Sequence, residues 1–568
     1  MAQTPRERLE GRMAALKSER SSWLTHWTEL ARYLLPRKSI FLGRTPTNRG
    51  ARTNTSIING TPTFAVRTTV SGMNSGLTNP TSRWFRINTA NKEASEQEGV
   101  RLWLDQVEDR LYEVLAAGGA YDALNSCYED DLVFGTAAMW HDENRETVCR
   151  YEALTVGEFM LAADESGSAK IGYREFELTT SQMVERFGLG QVSQQVKESY
   201  DKSNMEQRWV VNHALEPMSR RVEGIPGAGR MPYVSAYWDP GEKRKEGREA
   251  FLRVAGYEEC PLHALRWYAR SGEPYGYSPG MDVLGDAKQL QAKEAEKARI
   301  TMKIARGPTQ GPAGSKLLDI SPEAHNEVPS GVDNSIRPIF VIPPQAIQLV
   351  MQDIATIEDR IKRGLYADLF MAFVERTGQA TQTRIADAER VEEKLQVLGP
   401  MLLRANRELF DPLIERTFNI LMRASLPLWR AGQPAPLPAP PEALANADLD
   451  VEYVGKLQQA LQLTNVEAIN GVIGPVGQLM ALHPPIGDKI DWDQVVDELA
   501  AAYNPPAGII LSDEKVAKMR AERAQEAAAK EQMGMLLEGA KVAPGVMKAQ
   551  AEMEQAGQAP ANQNGLAA

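Results

Sequence analysis

Apolar residues recur in steps of three and four along much of this chain, the spacing that gathers them on one face of a helix. Leu9, Met13, Leu16, Trp23, Trp27, Leu30 and Leu34 predict an amphipathic helix over residues 4–35, its stripe interrupted by Arg20. Thr4-Pro5-Arg6-Glu7 is a capping box with proline in the first turn, and Pro36 ends the helix. Residues 37–60 are polar and basic and read as a loop or extended arm. Its Arg37, Lys38, Arg44, Arg49 and Arg52 fit a solvated surface better than nucleic-acid contacts. Residues 61–140 read as mostly helical, broken by a turn at Asn79-Pro80. Within them Val100, Leu104, Val107, Leu111 and Leu115 form one face, stopped by Gly118-Gly119.

The period changes over residues 145–260. Two apolar runs, 159–162 and 171–176, flank Asp164-Glu165-Ser166-Gly167-Ser168 and predict a β-hairpin. Residues 209–211 and 233–238 read as further strands. The fold class is therefore α+β, mainly α, with a β-rich module inserted in a helical chain.

Residues 281–306 predict one strongly charged helix, about 39 Å long at ~1.5 Å per residue. Residues 307–343 are rich in Gly and Pro, with short β-like runs such as 339–342. A second helix follows over 344–365, about 33 Å on the same rise. Its stripe, Ile347, Val350, Ile354, Ile357 and Ile361, is narrow, as in helix–helix packing. Two long helices thus bracket a small module, the pattern of an elongated hairpin with a domain at its tip. Residues 381–424 read as another helical stretch, faced by Ile385, Ala388, Val391, Leu395, Leu398 and Leu402 and kinked or divided by Pro400 and Pro412. Residues 432–441 are a Pro-rich linker. Short helices follow from 450, a helix start lies at Ser512-Asp513-Glu514, and the small polar residues 555–568 suit disorder.

The length of 568 residues implies several modules. No run of 18 apolar residues suggests a membrane span, and Met1-Ala2-Gln3-Thr4-Pro5 lacks the layout of a signal peptide, so a cytoplasmic origin is expected. Cys127, Cys149 and Cys260 are too dispersed for a disulfide framework or zinc site and read as buried free thiols. The net charge of −11 argues against a protein that grips DNA tightly. It permits a conduit, which should neutralise few phosphates at once.

No constellation points to catalysis. Gly311-Pro312-Ala313-Gly314-Ser315-Lys316 has the wrong spacing for a phosphate loop. The six histidines (His26, His141, His213, His263, His325 and His483) are scattered and read as surface or satisfied core residues. Glu129-Asp130-Asp131 reads as a solvated helix face before a metal site, and Asp448 and Asp450 have no evident partner.

Four strings in order resemble the portal, or head-to-tail connecting, proteins of short-tailed bacteriophages. Ile57-Ile58-Asn59-Gly60 with residues 72–85 (GMNSGLTNPTSRWF) resembles the family's first signature. Residues 128–131 (YEDD) with 133–138 (VFGTAA) resemble the second, and 275–280 (YGYSPG), continuing through Asp286, Lys288 and Leu290, the third. Thr381-Gln382-Thr383-Arg384 through Leu398-Gly399-Pro400, with residues 412–416 (PLIER), resembles the fourth. The resemblance covers nearly the whole chain to about residue 525. The family usually has glutamate where Arg384 stands and a basic residue where Tyr277 stands.

The resemblance implies a phage portal fold with wing, stem, clip and crown regions and, in some members, a C-terminal helical barrel. Mapped onto the segments above, the wing takes residues 1–280 and the helix 381–430. The stem takes 281–306 and 344–366, the clip 307–343 and a tunnel loop 367–380. The linker is 431–449, the crown 450–511, a possible barrel helix 512–545 and a tail 546–568. It also implies a non-enzymatic ring, typically of twelve subunits, at the head–tail vertex of the virion, assembled in the host bacterial cytoplasm. Double-stranded viral DNA would pass through it without base recognition. Further implied partners are a terminase packaging motor, a tail adaptor, and the major capsid and scaffolding proteins, with no cofactor and no membrane. Lys288, Lys293, Lys297 and Lys303 are then candidates for the DNA tunnel, or else pair with carboxylates such as Glu294 and Glu296. Met371, Glu375, Arg376, Thr377, Gly378 and Gln379 would form the tunnel loop, and the stripe from Ile347 to Ile361 would pack neighbouring stems. Two other readings are a scaffold or internal core protein, and a nucleic-acid-processing enzyme. The Pro/Gly-rich module between matched helices disfavours the first, and the missing phosphate loop and metal cluster the second.

Overall fold

The structure, a computed structural model, describes residues 4–38, 53–89, 98–164, 167–217, 231–242, 251–305, 309–310, 337–338, 343–376, 398–425, 437–441, 444, 449–455, 469, 471–480, 483–503 and 515–530. It falls into two compact units. One takes in residues 1–87, 105–439 and 451–475, the other 88–104, 440–450 and 476–568.

In the first unit the opening helix, α1 (Pro5–Tyr33), begins at the predicted capping box, with Thr4 and Glu7 bonded reciprocally. Leu9, Met13, Trp27 and Leu30 are buried on its inner face. Arg20, which breaks that stripe, is buried too and donates to the carbonyls of Gly157 (2.6 Å) and Phe159 (2.7 Å). Helices α2 (Thr61–Leu77) and α4 (Ala120–Phe134) follow, while strand β1 (Phe85–Thr89) and helix α3 (Glu98–Ala117) have residues in both units.

The β-rich module starts earlier than its composition suggests. Residues 136–140, expected as helix, belong to β2 (Thr136–Asn144). Gly135 takes φ 77° at the end of α4, a left-handed cap that reverses the chain. Ladder bonds then override the local preference of Ala137 and Ala138. β2 pairs antiparallel with β3 (Val148–Leu154) and with β9 (Leu262–Arg266). The second sheet runs β4 (Phe159–Ala162), β5 (Ile171–Thr179), β6 (Arg208–Pro217), β7 (Tyr233–Trp238) and β8 (Arg253–Tyr257), all antiparallel. The predicted hairpin is its β4–β5 pair. One core joins Leu9 and Met13 of α1 to Met160, Tyr173, Ala214 and Trp238. Another joins α5 (Thr180–Phe187) and α6 (Gln194–Asp201) to Val211 and Tyr237.

The two long helices are α7 (Pro279–Ala305) and α8 (Pro344–Gly364), packed on one another. Between them Thr309–Gln310 and Arg337–Pro338 pair antiparallel, while the run 339–342 lies outside the described residues. After α8, Tyr366 adopts φ 60° and turns the chain into α9 (Ala367–Arg376). The expected tunnel loop is therefore helical as far as Arg376. Leu369 and Phe370 are buried along it, and Thr377, Gly378 and Gln379 lie outside the described residues. The predicted face from Ile385 to Leu395 lies wholly outside them. From 398 the chain is helical, passes through a π turn (Asn406–Phe410) and continues as α10 (Asp411–Ala424). The π turn ends two residues before Pro412, whose ring cannot continue a regular bond ladder, so proline alters the helix without ending it.

In the other unit, α11 (Trp492–Tyr503) and the helical residues 515–530 are tied by Arg520, whose two guanidinium nitrogens meet the Asp493 carboxylate at 2.6 and 2.7 Å. Among the described residues no helix is long and apolar enough to cross a membrane.

Candidate functional site

The helix pair α7–α8 is the feature the sequence singled out, and the structure shows how it is mounted. The α7 N-terminus rests on the turn between α4 and β2. Ser278 Oγ donates to the Val133 carbonyl at 2.7 Å, and the Gly276 N–H donates to Thr136 Oγ1 at 2.8 Å. A Cβ on Gly276 would lie 2.2 Å from the Gly135 carbonyl oxygen, and one on Gly280 2.6 Å from that of Val133. The strings at 133–138 and 275–280 are therefore two halves of one backbone-to-backbone joint, which only glycine permits. Tyr275 completes it. Its ring meets Trp27 edge-on at 5.2 Å and Trp23 at 5.7 Å, and its hydroxyl accepts from the Leu161 N–H at 3.1 Å. Trp27 Nε1 in turn donates to the Phe134 carbonyl at 3.1 Å.

Higher on the pair, Asn59 bridges the two helices. Its side-chain amide donates to Glu294 of α7 at 3.0 Å and to Glu358 of α8 at 2.7 Å. The buried Gln291 side chain accepts from the Ile58 and Asn59 N–H groups (2.7 and 2.9 Å) and donates to the Asn59 carbonyl (2.9 Å). The first signature string is thus a clamp over the α7–α8 pair. At the far end of α8, the Thr69 hydroxyl donates to the Leu365 carbonyl at 2.6 Å, and Gly364 and Gly72 lie against Val283 and Phe370 where a Cβ would clash.

The tunnel-lysine candidates are largely occupied within the subunit. Lys288 pairs with Glu29 of α1, Lys293 with Asp353 of α8 at 3.1 Å, and Lys297 with Glu294 one turn away at 2.5 Å. Lys303 is exposed near the end of α7 and has interactions of its own. In the isoleucine stripe, Ile354, Ile357 and Ile361 are buried inside the subunit, so they hold α8 to its own chain and not to a neighbour. Ile347 and Val350, nearer the α8 N-terminus, are half-buried. The large apolar side chains left in solvent on this pair are Met302 and Ile304 of α7 and Leu349 and Met351 of α8, 47–69% exposed. Met371 of α9 is also exposed, at 48%. Nothing is placed for the side chains of Glu375 and Arg376, which lie outside those described.

The acidic cluster is not a solvated face. Asp130 and Asp131 are buried, because α4 is covered on that side. Lys38 reaches Asp130 and Glu129 (3.0 Å), yet burial pushes the Asp130 carboxyl up to about 6. Burial also holds Asp131 well above the usual carboxylate range. Arg266 at the end of β9 is buried and bonds Glu408 of the π turn at 2.5 Å, with further bonds to the carbonyls of Gly167 (2.8 Å) and Glu273 (3.2 Å). Arg416 of α10 ties the His141 carbonyl (3.2 Å) to Glu259 (2.9 Å). His141 and His263 meet at 3.3 Å, and burial keeps both neutral. Cys127 and Cys149 are buried free thiols and Cys260 is half-buried. Among the described residues no group of three or more His, Cys, Asp or Glu side chains could hold a metal ion. These buried groups are joints between elements.

The roles of Asn59, Gln291, Glu358, Arg266 and Glu408 emerge only in the folded chain. A polar residue at a would-be core position was the available signal, and Gln291 and Arg266 carry it.

Comparison with known proteins gives one consistent result. The family described as bacteriophage head to tail connecting protein matches residues 6–511. The chain is 35% identical over 545 residues to the probable portal protein of Bordetella phage BPP-1, covering 95% of each chain. It is 34% identical over 545 residues to the portal protein of Salmonella phage epsilon15, covering 94% of each.

Proposed function

The chain belongs to the bacteriophage head-to-tail connecting proteins, and from that premise we propose that it is the subunit of a ring of about twelve copies, the number usual in its family, at one capsid vertex, through which viral DNA is packaged and later ejected. Its role is structural, joining head and tail in the virion, and not enzymatic. The observation that carries the ring reading is the helix pair. It is fixed at its base and presents Met302, Ile304, Leu349 and Met351 to solvent beyond its own packing. Such side chains are stable when a symmetric neighbour covers them.

In this reading α7 and α8 are the stem and residues 307–343 the clip, which meets a terminase motor during packaging and a tail adaptor afterwards. The sheets with residues 1–280 and the helix 381–430 form the wing, facing capsid and scaffolding proteins. Residues 367–380 form the segment nearest the tunnel, 450–511 the crown and 512–545 a barrel helix. Lys288, Lys293, Lys297 and Lys303 border the DNA path. Pairing of three of them with carboxylates weakens their hold on phosphates, which suits a passage where DNA must slide. The test is Lys293→Glu with Lys297→Glu in assembling phage. Packaged or retained DNA falls if these residues face the tunnel, and unchanged packaging and retention rule that placement out.

A further inference from the structure

A cleft of about 770 Å³ opens between the two sheets, lined by β2, β3, β5, β6, β8 and α5. That volume is within the usual range for a ligand site, roughly 300–1,000 Å³. No residue of the stem pair lines it, so a ligand bound there is independent of the conduit reading. Arg174 of β5 lines the cleft and is 4% exposed. Its guanidinium lies 4.9 Å from the Phe176 ring centroid and 5.8 Å from that of Trp140. Among the described residues Nε and Nη1 have no hydrogen-bond partner, and Nη2 comes only within 3.8 Å of Glu152, a side chain 47% exposed. Trp140, also buried and also lining the cleft, has an unpartnered Nε1.

The other buried arginines spend most of their donors within the chain. Arg6, Arg266 and Arg416 each bond a carboxylate and a carbonyl, and Arg20 bonds two carbonyls. Burying a guanidinium without acceptors is costly. Arg174 is held in place by aromatic walls with two of its three nitrogens unpartnered among the described residues, the condition of a group that binds something from outside. The acceptor that matches a planar fork of N–H donors is a carboxylate.

The rim narrows the class further. Among the described residues it carries seven carboxylate side chains and five arginines, Arg174 included. Such mixed charge opposes a polyanion such as DNA, and it favours a ligand in which one carboxylate stands beside cationic groups. We propose that this cleft docks a polypeptide segment of a partner protein, with an Asp or Glu side chain on Arg174 and flanking Lys or Arg side chains on Glu152, Glu158 and Glu185.

The test uses the full-length assembled protein and ligand-observed saturation-transfer NMR. The probes are the capped peptide Gly-Lys-Asp-Lys-Gly, its Asn counterpart, inorganic phosphate and a short DNA duplex. The Asp peptide should bind about tenfold more tightly than the Asn peptide, the worth of one charge-assisted hydrogen bond. Equimolar phosphate or duplex should not displace it. Arg174→Met should abolish the difference between the peptides. Arg174→Lys, which keeps the charge and loses the fork, should reduce it. Glu185→Gln, an exposed rim change, should weaken the Asp peptide a few-fold while leaving the fold intact. Equal binding of the two peptides, displacement by phosphate or duplex, or no saturation transfer to either peptide would overturn the proposal.

Discussion

The two ends of α7 obey different rules. At its base, Ser278, Gly276 and Gly280 bring backbone against backbone, and buried residues continue on its inner face as far as Leu290 and Gln291. At its far end Thr301–Ile304 are all exposed, with Met302 at 69%. One helix therefore joins a region fixed by steric and hydrogen-bond constraints to a region whose apolar surface is still uncovered. Intolerance to substitution should fall along the helix, and sensitivity of assembly should rise.

The largest effect is expected at the joint. Gly276→Ala puts a methyl group onto the Gly135 carbonyl, and no side-chain movement relieves a backbone clash. Destabilisation of about 3 kcal/mol or more is expected in urea unfolding. A loss below about 1 kcal/mol would mean that the joint is loose enough to admit a methyl group. Glu408→Ala follows closely, because it leaves Arg266 buried with carbonyl partners only. The cost of an uncompensated buried charge is about 3–5 kcal/mol. Glu408→Gln should recover part of it if hydrogen bonding is what matters.

Midway, Asn59→Ala removes both bonds that bridge α7 to α8. About 2 kcal/mol is expected, from ~1 kcal/mol per bond, with hydrogen exchange rising in both helices. Exchange rising in only one would show that the clamp does not couple them. Last, Met302→Ser with Leu349→Ser should change subunit stability by under about 0.5 kcal/mol. Sedimentation should nevertheless show weaker oligomers. Oligomers of unchanged strength would remove these residues from the interface.

This gradient also explains what could be read from the sequence. α1, the β4–β5 hairpin, α7 and α8 were legible because their signals are local: a capping box, alternating runs about a turn, and a sustained period. Residues 136–140 were missed because the strand is set by distant pairing with β9. The acidic string at 129–131 was misread because burial of Asp130 and Asp131 comes from packing around α4, which charge alone does not reveal. The same holds for Ile354, Ile357 and Ile361. Their stripe announced helix packing correctly, but only the folded chain shows that the partner is in the same subunit. The signature strings identified the family. Their physical meaning, a glycine joint and an amide clamp, needed the folded structure.

The proposed ring closes through the α7–α8 pair. Electron microscopy of the purified full-length chain, with native mass determination on the same sample, tests it most directly. Rings with a central channel and a mass near twelve times 62.8 kDa are expected. A monomer or dimer at every concentration, even with scaffolding protein present, would contradict it.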